Sequence, residues 1–466
     1  MDIMAFKFKF SVILIFILIT VFEVSAFGSG NTGSRSNDKN ISKKLPSLDR
    51  LSFEDDQSDS SRLALFSSVL NQTLSSKYYR STRFGIHIQT EDGLTLYEKN
   101  SDKNFIPAST LKLVTTSVAL SKLGPDFQYL TSISTDGEIS DNVLEGNLVI
   151  HGTSDPKLSG FFDSEIDLIV NEWVDQLQAL GINKINGSVF LDNSYYEDGS
   201  GKTKFAFQTV ASFDKATKNQ LTQIVKGKNG KAVKQKIRLK RRSKRKLVTV
   251  RPNQYLANQL TKELNKRRMI SQKFPEDNFD IPDSVEFSVL IQHRSETLAQ
   301  IIKRTNKSSD NFYADQLVRT IGHEFGNGGT LSEGIAVITD FMVNKVGIPQ
   351  NELKMSDGCG ISHENFLSAK SLTKILSFMS TDPNGPIYYE SLSIPTVDGT
   401  LKNRIHHPLA ENIRGKTGSI SGVTSLTGYL TSNCGKKLVF SIICNGGRQK
   451  RLIHLEDQIC KLLLNL

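Results

Sequence analysis

The sequence predicts an α/β (α+β) fold, because alternating segments lie near both ends of its 466 residues and the pattern between them changes character. The first observation is a pair of alternating runs, Phe84 to Thr90 and Leu94 to Tyr97, separated by Glu91-Asp92-Gly93; this reads as a β-hairpin. The second is Ile413 to Ile443, which reads as three strands, the second Val423 to Thr431 and the third opening at Lys437 after a turn at Ser432 to Gly435. The third is the stretch from about 124 to 290, where short strands and turns dominate and an inserted, mostly-β domain is expected.

Taken in order, residues 1–26 have Lys7 and Lys9 before an apolar run, Phe10 to Phe22, and small residues at Val24-Ser25-Ala26. That run is shorter than the roughly 20 residues of a spanning helix, so it reads as a secretory signal. Residues 27–57 are polar and read as a disordered linker. The first part of the main domain is then 58–122, the insertion 123–289 and the second part 290–466. Ser60 to Ser76 is expected to be a helix with one apolar face. Within the insertion, Asn147 to Gly152 and Gly187 to Asp192 read as strands and Ile166 to Leu180 as an amphipathic helix. Further helices are expected from Glu296 to Arg304, over 331–346, and at the end through Leu452, Leu455, Ile459 and Leu462.

Net charge is +10, but residues 226–246 alone hold twelve Lys/Arg and no acid, so the remainder is close to neutral. This run reads as a solvated loop or β-ribbon, or as a patch for an anionic wall or membrane surface. It lacks the interleaved aromatics of a nucleic-acid binder, so no nucleic-acid partner is expected. The four cysteines, Cys359, Cys434, Cys444 and Cys460, have neither disulfide-framework nor zinc spacing. Free buried thiols are the expectation, with no metal and no cofactor.

Chemistry enters at Ile106-Pro107-Ala108-Ser109-Thr110-Leu111-Lys112-Leu113. Pro107 suits the first turn of a helix, and Leu111, Val114, Val118 and Leu120 continue an apolar face. Ser109 and Lys112 then lie one turn apart, as nucleophile and base. The positive helix N-terminus disfavours the ammonium form of Lys112. Ser-x-x-Lys occurs six times in the chain, and only Ser109 has this context. Two further strings follow: Ser309-Asp310-Asn311 before a helix, and Lys416-Thr417-Gly418, which occurs once. Ser309 is placed to pass a proton to a leaving amine, Asn311 to hold an amide and Lys416 to attract a carboxylate. Gly418 lets the strand approach a substrate, Thr417 and Ser419 offer hydroxyls, and the backbone N–H groups of Ser109 and Ser419 are expected to form an oxyanion hole.

This ordered trio is the set found in penicillin-binding proteins and class A β-lactamases. The chain resembles the serine D-alanyl-D-alanine carboxypeptidases of the penicillin-binding protein 4 type. Phe105 to Ser109, Leu123 to Phe127, Gly152 to Pro156, Asp357 to Ser362, Val397 to Leu401 and Gly415 to Ser425 all look like family segments. The resemblance implies a transpeptidase/β-lactamase-like domain, an antiparallel sheet with helices on both faces. It also implies an exported, periplasmic DD-peptidase acting on peptidoglycan stem peptides, with β-lactam antibiotics as covalent inhibitors. The Glu-x-x-Leu-Asn string of class A β-lactamases is absent. The chain departs from the family pattern in three ways, one of them an insert that looks shortened and carries the basic run. Its single Trp is Trp173, with no Trp-x-Asp over 197–214, and Cys359 replaces the usual small residue. A second reading is a wall-binding protein of the same fold that lacks turnover.

Overall fold

The computed structural model describes residues 59–152, 155–159, 166–192, 195, 203–206, 221–226, 232–237, 247–250, 252–272, 275–277 and 286–466. The expected signal and linker lie outside these residues, as do 227–231 and 238–246 of the basic run.

In chain order, helix α1 (Asp59–Leu74) precedes the hairpin β1 (Arg83–Thr90) and β2 (Thr95–Lys99), which leads to α2 (Lys112–Leu123). The insertion supplies β3 (Leu130–Thr135), β4 (Leu148–His151), α3 (Ile166–Ala179), β5 (Val189–Asp192) and α4 (Pro252–Lys266). Strand β6 (Ser288–Arg294) leads out of it into α5 (Leu298–Lys307), α6 (Asn311–Phe325), α7 (Leu331–Phe341) and α8 (Ala369–Thr381). The chain ends with β7 (Ile413–Ile420), β8 (Val423–Thr431), β9 (Lys437–Asn445) and α9 (Gln449–Leu464).

The main sheet runs β7-β8-β9-β1-β2, and every pair is antiparallel. Its centre joins the two ends of the chain, with β1 against β9 from Arg83↔Asn445 to Thr90↔Leu438. Burial along β8 and β9 is nearly continuous because both faces are covered. On one face His87 Nδ1 meets Thr373 at 2.6 Å, Gln89 donates to Ser377 at 2.8 Å and the Tyr429 hydroxyl donates to the Leu376 carbonyl at 2.7 Å, all on α8. Side chains alternate along a strand, so Tyr97, which pairs with Ile88, points the other way and donates to Asn71 of α1 at 2.9 Å. Helix α9 packs against β8.

The second sheet runs Glu276–Asp277, β5, β4, β3, β6, with β5 parallel to both its neighbours and the other pairs antiparallel. Helices α3 and α4 close it over a separate core that holds Trp173, Leu177, Leu256, Leu260, Ile150 and Leu191. The sequence pattern anticipates α3 but not α4. The apolar stripe of α4 is thin: Leu256, Leu260 and Leu264 stand four apart among Asn, Gln and Lys. Part of the basic run forms a ribbon, with Leu221–Lys226 antiparallel to Ala232–Ile237. Ser-Asp-Asn also occurs at Ser140-Asp141-Asn142, where it makes the turn between strands Glu138–Ser140 and Val143–Glu145, with Asp141 and Asn142 left-handed. Among the described residues no helix is long and apolar enough to cross a membrane. All four cysteines are free; Cys434 is exposed and the other three are buried.

Candidate active site

The Ser109 turn is built by its neighbours. Pro107 precedes a 3-10 turn, Ala108–Leu111, and the α-helix begins only at Lys112. Ala108 takes φ +51°, a left-handed geometry that costs a non-glycine residue energy and needs support. The support is visible. The Pro107 carbonyl accepts from Thr110 Oγ1 at 2.7 Å and from Ser425 Oγ of β8 at 2.6 Å. Asn445, at the end of β9, holds both the N–H and the carbonyl of Ile106, at 2.9 and 3.0 Å. Helix α2 is more buried than an apolar stripe predicts, since every residue from Lys112 to Leu120 is covered.

The Ser309 turn has the same logic. Asp310 caps α6, accepting from the N–H groups of Phe312 and Tyr313 at 3.1 and 3.3 Å, and so fixes Asn311 at the first position of the helix. Ser309 just before it is left-handed, at φ +56°.

Two buried lysines meet these turns. Lys112 Nζ lies 3.1 Å from Ser109 Oγ, 2.7 Å from Asn311 Oδ1 and 2.6 Å from the Cys359 carbonyl. Burial pushes its pKa below the usual lysine value, against the pull of Cys359, Asp315, Asp357 and Asp310. A neutral amine has two N–H groups and one lone pair. In the ammonium form Lys112 donates to Ser109; on losing a proton, its two N–H groups would serve the two carbonyl oxygens and its lone pair would face the Ser109 hydroxyl. Lys416 Nζ donates to Ser309 Oγ at 2.8 Å and to the Thr417 carbonyl at 2.9 Å. Burial and then the charge of Lys112 hold it well below the usual value. No carboxylate among the described residues forms an ion pair with it.

The structure therefore brings Ser109, Lys112, Ser309, Asn311 and Lys416 together from α2, the α5–α6 turn and β7. Gly418 lies against the nucleophile's turn: a Cβ there would sit 2.8 Å from the Pro107 carbonyl oxygen and 3.0 Å from the Ser109 nitrogen. The pleat of β7 turns Thr417 and Ser419 away from Lys416. The Thr417 hydroxyl bonds to that of Thr400 at 2.7 Å, and Gln449 of α9 reaches the Ser419 hydroxyl.

One element escaped functional assignment from sequence. The Asp357–Ser362 loop presents the Cys359 carbonyl to Lys112. Asp357 Oδ1 accepts from the N–H groups of Cys359 and Gly360 at 3.1 and 2.6 Å, and Oδ2 from that of Ser362 at 2.7 Å. Asp315 of α6 accepts from the Gly358 N–H at 2.9 Å, and burial first, then Asp357, raises its pKa to about 7. Donor atoms of Asp315, Asp357 and Cys359 lie within 4.8 Å of one another. These carboxylates already hold backbone N–H groups, and burial keeps the Cys359 thiol protonated, so the cluster is a brace for the loop and a poor metal donor set.

With this geometry in hand, comparison with known proteins is decisive. The model of the D-Ala-D-Ala carboxypeptidase 3 (S13) family matches residues 70–212 and 202–466. The chain belongs to this family. Among curated relatives of this S13 peptidase is the D-alanyl-D-alanine carboxypeptidase of Actinomadura sp. (strain R39), 24% identical over 440 residues, covering 80% of this chain and 79% of the relative. The D-alanyl-D-alanine carboxypeptidase DacB of Haemophilus influenzae is 26% identical over 408 residues, covering 74% and 82%. The crystal structure of penicillin binding protein 4 from Haemophilus influenzae shares the fold, with a TM-score of 0.64 at 22% identity over 88% of this chain and 99% of that one. The fold implied by the motif resemblance is thus the fold observed.

Proposed function

We propose that this S13 peptidase hydrolyses the D-Ala-D-Ala bond at the ends or cross-links of peptidoglycan stem peptides through an acyl-enzyme on Ser109. The observation that carries the reading is the double contact of the cleft: Lys112 on Ser109 and Asn311, and Lys416 on Ser309. Neutral Lys112 takes the Ser109 proton as Oγ attacks the carbonyl carbon. The N–H groups of Ser109 and Ser419 stabilise the oxyanion, and Asn311 holds the substrate amide. Ser309, backed by Lys416, relays to the departing D-Ala amine the proton that Lys112 took up, which leaves Lys112 neutral again. The leaving residue's carboxylate supplies the counter-charge that Lys416 otherwise lacks, beside the hydroxyls of Thr417 and Ser419. Water then attacks the ester, with Lys112 as base. A β-lactam enters the same sequence, and its ring opens on Ser109 to leave a covalent adduct.

Labelled penicillin tests this directly. The expected result is one adduct on the intact protein, mapped to Ser109, together with D-Ala release from muropeptides read by mass spectrometry. An adduct that persists in Ser109→Ala overturns the assignment. We further propose export through the 1–26 segment and docking of the 226–246 run on an anionic wall or membrane surface. The docking predicts binding to anionic vesicles that weakens as salt rises. Binding indifferent to salt refutes it.

A further inference from the structure

Positive charge gathers at a second place, apart from the 226–246 run. Residues 60–90 and 412–455 contain no Asp or Glu. Pairing of β1 with β9, with Arg83 opposite Asn445, brings one end of each stretch together. There the loop from α1 to β1 packs on the turn from β9 to α9. Thr82 Oγ1 donates to the Gly446 carbonyl at 3.5 Å, and the Arg451 guanidinium donates to the Tyr78 carbonyl at 3.0 Å. The first loop supplies Lys77, Arg80 and Arg83, and the second supplies Arg448, Lys450 and Arg451. Five of these six are exposed and Arg451 is half-buried. The Tyr78 ring gathers two of them, with Lys77 at 5.8 Å and Arg451 at 5.4 Å from its centre.

The usual account of such a cluster fails here. Cations offset a helix dipole at the C-terminus, whereas Arg448, Lys450 and Arg451 stand at the N-terminus of α9, where the dipole disfavours them. Neither stretch brings a carboxylate to relieve the repulsion. A bound polyanion would offset both costs. The patch also adjoins the cleft: Gln449, between Arg448 and Lys450, reaches the Ser419 hydroxyl, and Asn445 holds Ile106 just before the Ser109 turn. A membrane laid flat on this surface would press on β7, which is an edge strand of the main sheet. A chain-like anion runs past and leaves the cleft open. Four of the six cations are Arg, whose planar fork pairs with two oxygens of one phosphate. Tyr78 is half-buried and already taken up by two cations, so the patch offers no platform on which bases could stack.

We propose that this surface binds a linear phosphodiester polymer without bases, which runs beside the cleft and holds the protein on it. The proposal goes beyond the peptidase reading and does not depend on it.

The test measures binding of fluorescent poly(glycerol phosphate) to the full-length protein at low and high salt, with polyglutamate and phosphatidylglycerol vesicles as separate arms. The wild type is expected to bind the polymer, and less tightly as salt rises. Lys77→Gln with Arg80→Gln, and Arg448→Gln with Lys450→Gln, should each weaken binding about fourfold at low salt, about twofold per exposed ion pair, and all four together about 15-fold. Penicillin acylation of the same variants should keep the wild-type rate, since none of the four residues touches the reacting groups. In the wild type, the polymer should slow amide hydrogen exchange in 77–83 and 446–451. A polymer that leaves both segments unprotected overturns the proposal, and this readout needs no variant. Wild-type affinity in the fourfold variant overturns it too, because the binding then belongs to another surface such as the 226–246 run. Equal binding of polyglutamate overturns the choice of phosphate, and vesicles that protect the two segments as well as the polymer does make a membrane the occupant instead.

Discussion

Replacing Gly360 with alanine tests whether the Asp357–Ser362 loop sets the position of the nucleophile. Gly360 has φ +83°, and a Cβ there would lie 1.9 Å from the Ala108 carbonyl oxygen and 3.1 Å from the Ser109 nitrogen. Ordinary contact begins at 3.4 Å, so the two backbones must separate by about 1.5 Å. The left-handed conformation adds about 1–2 kcal/mol for a residue with a side chain. A misplacement of about 1 Å costs a reaction about 100-fold, so acylation by labelled penicillin should slow by at least that factor. Stopped-flow acylation measures this, and thermal melting reports the accompanying loss of stability. Gly435→Ala separates the two effects: Gly435 has φ +82° in the β8–β9 turn, with nothing within 4 Å of the added Cβ. It should melt lower by the conformational cost alone and acylate at the wild-type rate. If Gly360→Ala acylates as fast as wild type, the loop does not position Ser109 and the reasoning is wrong.

Other expectations follow from the same geometry. Lys112→Met removes the amine that contacts Ser109 and leaves the Asn311 and Cys359 oxygens without that donor, so acylation should fall at least about 100-fold, read by adduct formation against time. Burial lowers the Lys112 pKa, so the reactive neutral form persists below the usual lysine range and is lost as pH falls through the lowered value. Accordingly kcat/KM should decline on the acid side, and a profile that rises as pH falls would contradict Lys112 as base. Trp173 fills the separate core under α3 and α4, with its ring edge-on to His293 at 5.5 Å. Trp173→Ala should cost about 3–5 kcal/mol in denaturant unfolding, concentrated in the inserted segment.

The parts of the site legible in the sequence are those whose chemistry belongs to side-chain identity. Ser109, Lys112, Ser309, Asn311 and Lys416 are named by three short strings, and the structure seats all five in one cleft. The strands were legible because their alternation survives even where both faces are buried. What escaped was carried by the backbone. The Cys359 carbonyl that receives Lys112 has no sequence signature, since any residue supplies a carbonyl. Asp310 left a fainter trace: an Asp immediately before a helical run is a capping signal, though bland when met in a turn. Helix α4 was hidden by its thin apolar stripe, and the partners that the Thr417 and Ser419 hydroxyls find in Thr400 and Gln449 have no sequence signature.

The backbone's contribution is most evident at Ala108 and Ser309, left-handed residues on either side of the reacting atoms. Each such residue costs about 1–3 kcal/mol, so neither conformation would persist without contacts that enforce it. At Ala108 the enforcement comes from β8 and β9, through Ser425 and Asn445. At Ser309 it comes from the Asp310 cap on one side and Lys416 on the other. Both sets of contacts depend on the main sheet, whose last three strands lie more than 300 residues after Ser109 in the chain. The nucleophile is therefore shaped only when the C-terminal strands are paired. A chain cut before β7 would keep the Ser-x-x-Lys string and lose the geometry that makes it reactive, which is why the string alone, present six times, carries so little information.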